Sequence, residues 1–129
     1  MSPVSSCADL VRRFVETLDA RDWDAWAALL HQDVVYEIPQ SRERIRGRES
    51  YLRFNREFPG DWHLRVLQVI ADDTQGVVRF DWHVTGEDAA FSEAMAFFTV
   101  EDGLITTVTD YWPEAYDPPP GREALVERW

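Results

Sequence analysis

The sequence predicts an α+β fold in which one strongly curved, cone-shaped antiparallel sheet wraps around three helices from the N-terminal half of the chain. Two observations predict this class. Apolar residues recur at helical spacing in three segments before residue 58, interrupted by a single strand. The rest of the chain carries four segments rich in β-branched and aromatic residues, separated by turns. Because such a sheet closes around a cone, we expect its open end to form a pocket.

The first helix is predicted over residues 7–20. Ser6 and Asp9 have the spacing of a capping box at its start. Five apolar residues then recur at helical spacing, namely Leu10, Val11, Phe14, Val15 and Leu18. Asp22 can cap a short second helix that carries a wide apolar stripe.

One strand separates the second and third helices. Apolar and other residues alternate over residues 33–38 until Pro39, which cannot donate to a strand ladder. Residues 40–47 carry Arg42, Arg44 and Arg46, a spacing that admits an anion clamp, but Glu43 and Glu49 interleave with the arginines, a pattern typical of a solvated loop. A third helix is then predicted over residues 47–58.

The remainder of the chain is predicted to form an antiparallel meander with strands over residues 62–71, 77–85, 90–100 and 104–112. A proline-rich tail covers residues 113–129, and we expect it to end in one helical turn. The sequence shows no repeat and no linker. We therefore predict a single domain over residues 1–129, with its core in about residues 8–116.

The composition excludes several classes of partner. The chain has 129 residues with 24 acidic and 13 basic side chains, and its net charge of −11 repels phosphate backbones and anionic membranes. All the basic residues are arginine, which suggests a GC-rich bacterial genome. A single cysteine and the absence of a signal-like or membrane-spanning segment predict a cytoplasmic protein. The three histidines are not at ligand spacing, so no metal site is expected.

Four segments resemble one known group of proteins. They are LVRRFVETLDARDWDAW in the first helix, VVYEIP in the first strand, IRGRESYLRF at the third helix and VEDGLITTVTDYW in the last hairpin. Over residues 8–116 the chain resembles the nuclear-transport-factor-two-like superfamily, in particular its SnoaL-like small proteins. The superfamily includes ketosteroid isomerases, polyketide cyclases, limonene-type epoxide hydrolases and non-catalytic binding modules, so the fold alone does not define an activity. The resemblance also implies a homodimer formed through the outer face of the sheet.

The steroid isomerases of this superfamily use a helix-one tyrosine, an aspartate before the strand-ending proline and a protonated aspartate on the penultimate strand. Phe14, Ile38 and Met95 align with these positions, and none of the three can move or donate a proton. The resemblance therefore argues against isomerase chemistry, while the same positions suit the wall of a pocket. The full set of predicted substrate-contacting residues is Phe14, Tyr36, Glu37, Ile38, Phe54, Phe58, Met95, Phe97 and Trp112.

The resemblance to the epoxide hydrolases suggests a catalytic set. Those enzymes carry an Arg-x-Asp pair on a central strand and an Asp-Tyr-aromatic sequence near the end of the last strand. Arg79 and Asp81 stand in the first place, and Asp110 begins the second. One ionised carboxyl would take a proton from water and one protonated carboxyl would donate to the opening ring, with no metal and no cofactor. The water-holding residues of the family align with Val35 and Glu37, and Val35 cannot hold a water.

The predicted strand over residues 77–85 can face either way. Its two faces are Val78, Phe80, Trp82 and Val84 on one side, and Arg79, Asp81, His83 and Thr85 on the other. A gapless comparison with the isomerases favours the apolar face inward, which would turn the polar row toward solvent or a partner subunit. In the opposite orientation, His83 would be a further acid or base in the cavity.

Three hypotheses follow. The first is a cofactor-independent enzyme acting on a small apolar molecule by general acid and base catalysis, with Asp110 as principal base and Arg79, Asp81 and His83 in support. Epoxide hydrolysis and polyketide-type ring closure are its two reaction types. The second is a non-catalytic module that binds a hydrophobic ligand. The third is a structural dimer with the polar row at its interface, in which charge reversal at Arg79 would yield monomers.

Overall fold

This computed structural model describes residues 6–87 and 92–129. Within those ranges the helices are α1 (Cys7–Asp19), α2 (Trp23–Ala27) and α3 (Arg48–Glu57). The strands are β1 (Leu30–Ile38), β2 (Glu43–Arg46), β3 (Trp62–Ala71), β4 (Gln75–Val84), β5 (Glu93–Glu101) and β6 (Leu104–Tyr111). They form one curved sheet in the order β2-β1-β6-β5-β4-β3, so the predicted α+β class is confirmed.

The sheet differs from the prediction in two ways. Its strands are antiparallel except for β1 and β6, which pair in parallel with Tyr36 opposite Val108. The sheet is also open, with β2 and β3 as its edges in the described part of the chain, whereas the prediction was a closed cone. Parallel pairing of strands that lie far apart in the chain leaves no local sequence pattern.

Strand β2 occupies a segment that was predicted to be a solvated loop. It pairs antiparallel with β1, with Val35 opposite Arg46 and Ile38 opposite Glu43. The prediction was wrong because the charged side chains of this segment are not confined to loops. An edge strand also tolerates charged side chains, and they protect it from pairing with other chains. This hairpin places Glu43 beside the end of β1.

Helix α1 fills the concave side of the sheet, where it packs against β3 and β4. Ser6 and Asp9 form the predicted capping box at its start, and the five apolar residues of its predicted stripe are buried. The sheet contributes the inward-facing residues Val78, Phe80, Ala94, Ala96, Phe98, Ile105 and Val108 to the same core. The helices thus cover one end of the concave face and leave space at the other.

The β4–β5 connection and the C-terminal tail also differ from the predicted secondary structure or lie outside the described residues. Residues 90 and 91, predicted to begin a strand, lie outside the described residues, and β5 begins at Glu93. The tail contains one hydrogen-bonded turn, in which the Leu125 N–H donates to the Arg122 carbonyl, but this turn stops before Val126 and Trp129, which were predicted to belong to it. The side chains of Leu125, Val126 and Trp129 are exposed. Among the described helices, none has the length and apolar character needed to cross a bilayer.

Candidate functional site

A cavity of about 640 Å³ opens between α1, α3 and the concave face of the sheet. Of the residues that the structure describes, nine aromatic ones line it: Phe14, Tyr36, Tyr51, Phe54, Phe58, Trp62, Phe80, Trp82 and Trp112. Its volume lies within the range of pockets that enclose small molecules. The walls are therefore suited to an apolar or aromatic body of that size.

Asp110 is the charged residue buried in this cavity. It lies on β6, where it shares the inward face of the strand with Val108, and it is only 7% exposed. Tyr36, on the neighbouring strand β1, donates its hydroxyl to Asp110 Oδ2 at 2.5 Å. No other described residue forms a hydrogen bond with the carboxyl, so Asp110 Oδ1 is available to a bound molecule.

Burial determines the protonation of this pair. Loss of hydration raises the pKa of Asp110 to about 7, although the hydrogen bond from Tyr36 acts in the opposite direction. Burial and the neighbouring charge of Asp110 raise the pKa of the Tyr36 hydroxyl, which therefore remains a neutral donor. At neutral pH the carboxyl is present in both forms, so it can accept a proton and return it.

Ring packing holds Tyr36 in place. Its ring stacks on that of Tyr51 at a centroid distance of 4.4 Å and an interplanar angle of 20°. Tyr51 also packs edge-on against Trp26, which is fully buried. Because these rings interlock, the Tyr36 hydroxyl has a defined position beside Asp110.

The opposite wall is built around Trp112. Its ring meets Phe80 and Trp82 edge-to-face at centroid distances of 5.6 and 5.3 Å. Its backbone N–H donates to Gln40 Oε1 at 2.5 Å, which ties the end of β6 to the turn after β1. The mouth of the cavity is formed by the exposed residues Gln40, Ser41, Glu43 and Glu114.

The structure brings together seven of the residues that the sequence predicted for the site. They are Phe14, Tyr36, Ile38, Phe54, Phe58, Asp110 and Trp112. The predicted catalytic residues Arg79, Asp81 and His83 are elsewhere. Residues Phe80 and Trp82 of β4 point into the cavity, so these three alternate residues lie on the opposite face of the sheet.

On the outer face, Arg79, Asp81 and His83 each have a partner of their own. Arg79 Nη1 lies 3.0 Å from Glu93 Oε1, and Asp81 accepts a hydrogen bond from Ser92. The His83 ring stacks on His63 at a centroid distance of 5.1 Å. The expectation that Arg79, Asp81 and His83 act beside Asp110 is therefore corrected.

Three predicted wall residues also face away from the cavity. The buried residues of β5 are Ala94, Ala96, Phe98 and Val100, so Met95 lies on the outer face and Phe97 is 46% exposed there. Glu37 lies outside as well and pairs with Arg44 at 3.2 Å. Each of the three is the immediate neighbour of inward-facing residues, and neighbours on a strand point to opposite faces of the sheet.

The sequence analysis did not identify every residue of the site. Tyr51, Trp62 and Trp82 line the cavity but were not proposed as contacts. A signal existed for two of them, because Tyr51 belongs to the apolar stripe of α3 and Trp82 alternates with Phe80. For Trp62 the sequence offers no such signal. Within residues 6–87 and 92–129, no three His, Cys, Asp or Glu side chains converge as ligands of a metal ion would.

Comparison with known proteins agrees with this architecture. The model of the SnoaL-like domain matches residues 11–108. A Kribbella flavida protein described as a candidate ketosteroid isomerase is 49% identical, with a TM-score of 0.89 over 95% of this chain and 88% of its own. An epoxide hydrolase of the LEH-like type from M. tuberculosis is 25% identical, with a TM-score of 0.70 over 82% and 81% of the two chains. A candidate polyketide cyclase from Xanthomonas campestris is 29% identical, with a TM-score of 0.59 over 81% and 87%.

Proposed function

This chain belongs to the SnoaL-like domain family, and from that premise we propose that it is an enzyme that moves a proton on a small, largely apolar molecule, with Asp110 as its acid–base residue. One observation carries the proposal. Asp110 is buried in an aromatic cavity, has a pKa of about 7, and keeps one carboxyl oxygen free toward the cavity.

The energetics of Asp110 support a functional role. A carboxyl that is buried with a single hydrogen-bond donor is destabilising when it ionises, because it exchanges full hydration for one partner. Asparagine would keep the hydrogen bond from Tyr36 and avoid the charge. Groups that are unfavourable for folding in this way are concentrated at sites of catalysis and binding.

Removal of a proton from carbon and its return to oxygen is chemistry that one such carboxyl can perform. The ionised Asp110 removes a proton from a carbon next to a carbonyl group, and the electron pair forms an enolate. In a ring closure, the enolate carbon attacks a second carbonyl carbon of the same molecule and forms a new C–C bond. The resulting alkoxide takes the proton from Asp110, which returns to its ionised form, so the product is an isomer of the substrate.

Ring closure is favoured here over epoxide hydrolysis. Hydrolysis of the limonene type would need a second carboxyl and an arginine beside the first, and Asp81 and Arg79 lie across the sheet from Asp110. The relatives described as a candidate polyketide cyclase and a candidate ketosteroid isomerase fit a reaction that begins with loss of a proton next to a carbonyl. Isomerisation of the steroid type remains disfavoured, because Phe14 and Ile38 replace two of its proton-handling residues.

Nitrobenzisoxazole provides a direct test of the base. This neutral, planar molecule loses a proton from carbon to a general base while its N–O bond breaks, and the product is a coloured phenolate. We expect the wild-type protein to accelerate the reaction, and Asp110→Asn to lower the rate by about 100-fold or more. The matched control is Asp81→Asn, which changes the same chemical group on the outer face and should keep the wild-type rate.

Two results would overturn the proposal. One is an Asp110→Asn variant that remains as active as the wild type. The other is a wild-type protein whose melting temperature is raised by the probe but which does not convert it. That second result would support the alternative of a non-catalytic module for hydrophobic ligands.

A further inference from the structure

Among residues 6–87 and 92–129, the charged residues that line the cavity are all acidic. They are Glu43 and Glu114 at the mouth and Asp110 in the interior. The chain contains 13 arginines, and none of them lines this cavity. A cleft that carries charge of one sign concentrates ligands of the opposite sign and repels those of its own.

The two carboxylates at the mouth form no ion pair within the described part of the chain. Neither Glu43 nor Glu114 has an arginine or histidine nitrogen within 4.0 Å, although Glu37 pairs with Arg44 close to Glu43 along the same hairpin. Both side chains belong to exposed residues. Both residues therefore place a negative charge at the mouth of the cavity, and Glu43 also borders a second pocket that Arg42 and Arg44 line.

The walls suit the same kind of ligand. Faces of tryptophan and tyrosine rings carry negative electrostatic potential and attract ammonium and guanidinium groups. The protein already uses one wall residue in this way, because the Arg21 guanidinium lies 3.2 Å from the ring centroid of Trp62. Trp82 and Trp112 are further tryptophans in the same wall.

We propose that the molecule bound in this cavity is an organic cation, in which a protonated or quaternary nitrogen is joined to an apolar, largely aromatic body. The nitrogen lies at the mouth among Glu43, Glu114 and the aromatic rings, and the body extends toward Asp110. Free carboxylates and phosphate esters are disfavoured as substrates, because the described residues that line the cavity include three carboxyl groups and no arginine or histidine. This inference rests on the proposed function and names the substrate class of the same site.

Three ligands with a common benzyl body test it. Benzyltrimethylammonium carries the positive charge, neopentylbenzene is its neutral carbon isostere, and phenylacetate carries a negative charge. Binding is measured by the fluorescence of the wall tryptophans at low ionic strength, where the charges are least screened. We expect benzyltrimethylammonium to bind at least about tenfold more tightly than phenylacetate, a difference of about 1.4 kcal/mol.

Variants at the mouth separate charge from shape. In Glu43→Gln/Glu114→Gln, the cation should bind about threefold to tenfold more weakly, phenylacetate more tightly, and neopentylbenzene with unchanged affinity. The control Glu16→Gln/Glu101→Gln removes the same net charge from exposed positions that do not line the cavity and should leave all three affinities unchanged.

The inference is overturned if phenylacetate binds as tightly as benzyltrimethylammonium, if the cation is insensitive to the mouth variants, or if none of the three ligands binds. These outcomes are distinguishable from failure of the proposed function. Nitrobenzisoxazole is neutral, so its conversion through Asp110 does not depend on the charge preference of the mouth.

Discussion

Replacing Asp110 with asparagine should stabilise the folded protein at alkaline pH. The ordinary pKa of an aspartate is 3.8 and that of Asp110 is about 7, because burial disfavours the charged form. Between these pH values the native state holds a proton that the unfolded state has released, so stability falls as the pH rises. At 1.36 kcal/mol for each pH unit, ionising Asp110 costs the native state about 4 kcal/mol.

The Asp110→Asn variant does not lose stability in this way, because its side chain does not ionise. An asparagine is nearly the same size and its amide oxygen can still accept the hydrogen bond from Tyr36, so packing changes little. The difference in unfolding free energy between variant and wild type should be small near pH 4, grow through pH 5 and 6, and approach about 4 kcal/mol at pH 8. A change of this size is a large part of the 5–15 kcal/mol that stabilises a typical domain.

Urea denaturation at a series of pH values from 4 to 8 measures the difference. Asp33→Asn is the matched control, because Asp33 is exposed and does not line the cavity, and its profile should parallel that of the wild type. Parallel profiles for Asp110→Asn and wild type over this whole range would refute the reasoning. They would mean that the Asp110 carboxyl is ionised in the folded protein at no cost.

Two further predictions concern the hydrogen bond and the packing around the cavity. Tyr36→Phe removes a donor that lowers the pKa of Asp110, and a hydrogen bond to a charged group is worth about 1.5–3 kcal/mol, or about 1–2 pH units. The acid limb of the pH–rate profile for nitrobenzisoxazole should shift upward by that amount, and an unchanged limb would contradict the assigned contact. Gly76→Ala would place a Cβ 2.8 Å from Val11 Cγ2, where α1 approaches β4. Urea denaturation should show that the free energy of unfolding falls by about 1–3 kcal/mol. An unchanged free energy of unfolding would contradict this prediction and show that α1 can move away from β4.

Local patterns were sufficient for most of the secondary structure. The capping box and apolar stripe of α1 are encoded by neighbouring residues, and the structure confirms both. The long strands β3 and β6 were predicted from β-branched and aromatic residues between turn signals, to within one residue at either end. The short strand β2 was not, because charged residues at a sheet edge have the same pattern as a solvated loop.

The candidate site was predicted only in part. Alternation along β6 was enough to place Asp110 and Trp112 on one face with Val108. It was not enough for β5, where Met95 and Phe97 were predicted to line the cavity but their neighbours Ala94, Ala96 and Phe98 face the core. Side chains alternate with a period of two, so an error of one position reverses every assignment on a strand.

By itself, the sequence determined an acidic α+β domain of the SnoaL-like type with an aromatic interior, and it singled out Asp110 as the principal base. Only the tertiary structure decided which groups surround Asp110. The parallel pairing of β1 with β6 joins Tyr36 to a carboxyl 74 residues away, and the orientation of β4 removes Arg79 from the cavity. Helix caps and apolar periodicity involve residues only a few positions apart, so they can be recognised in the sequence. Contacts between distant strands depend on register and sheet order, which the packing of the whole core determines.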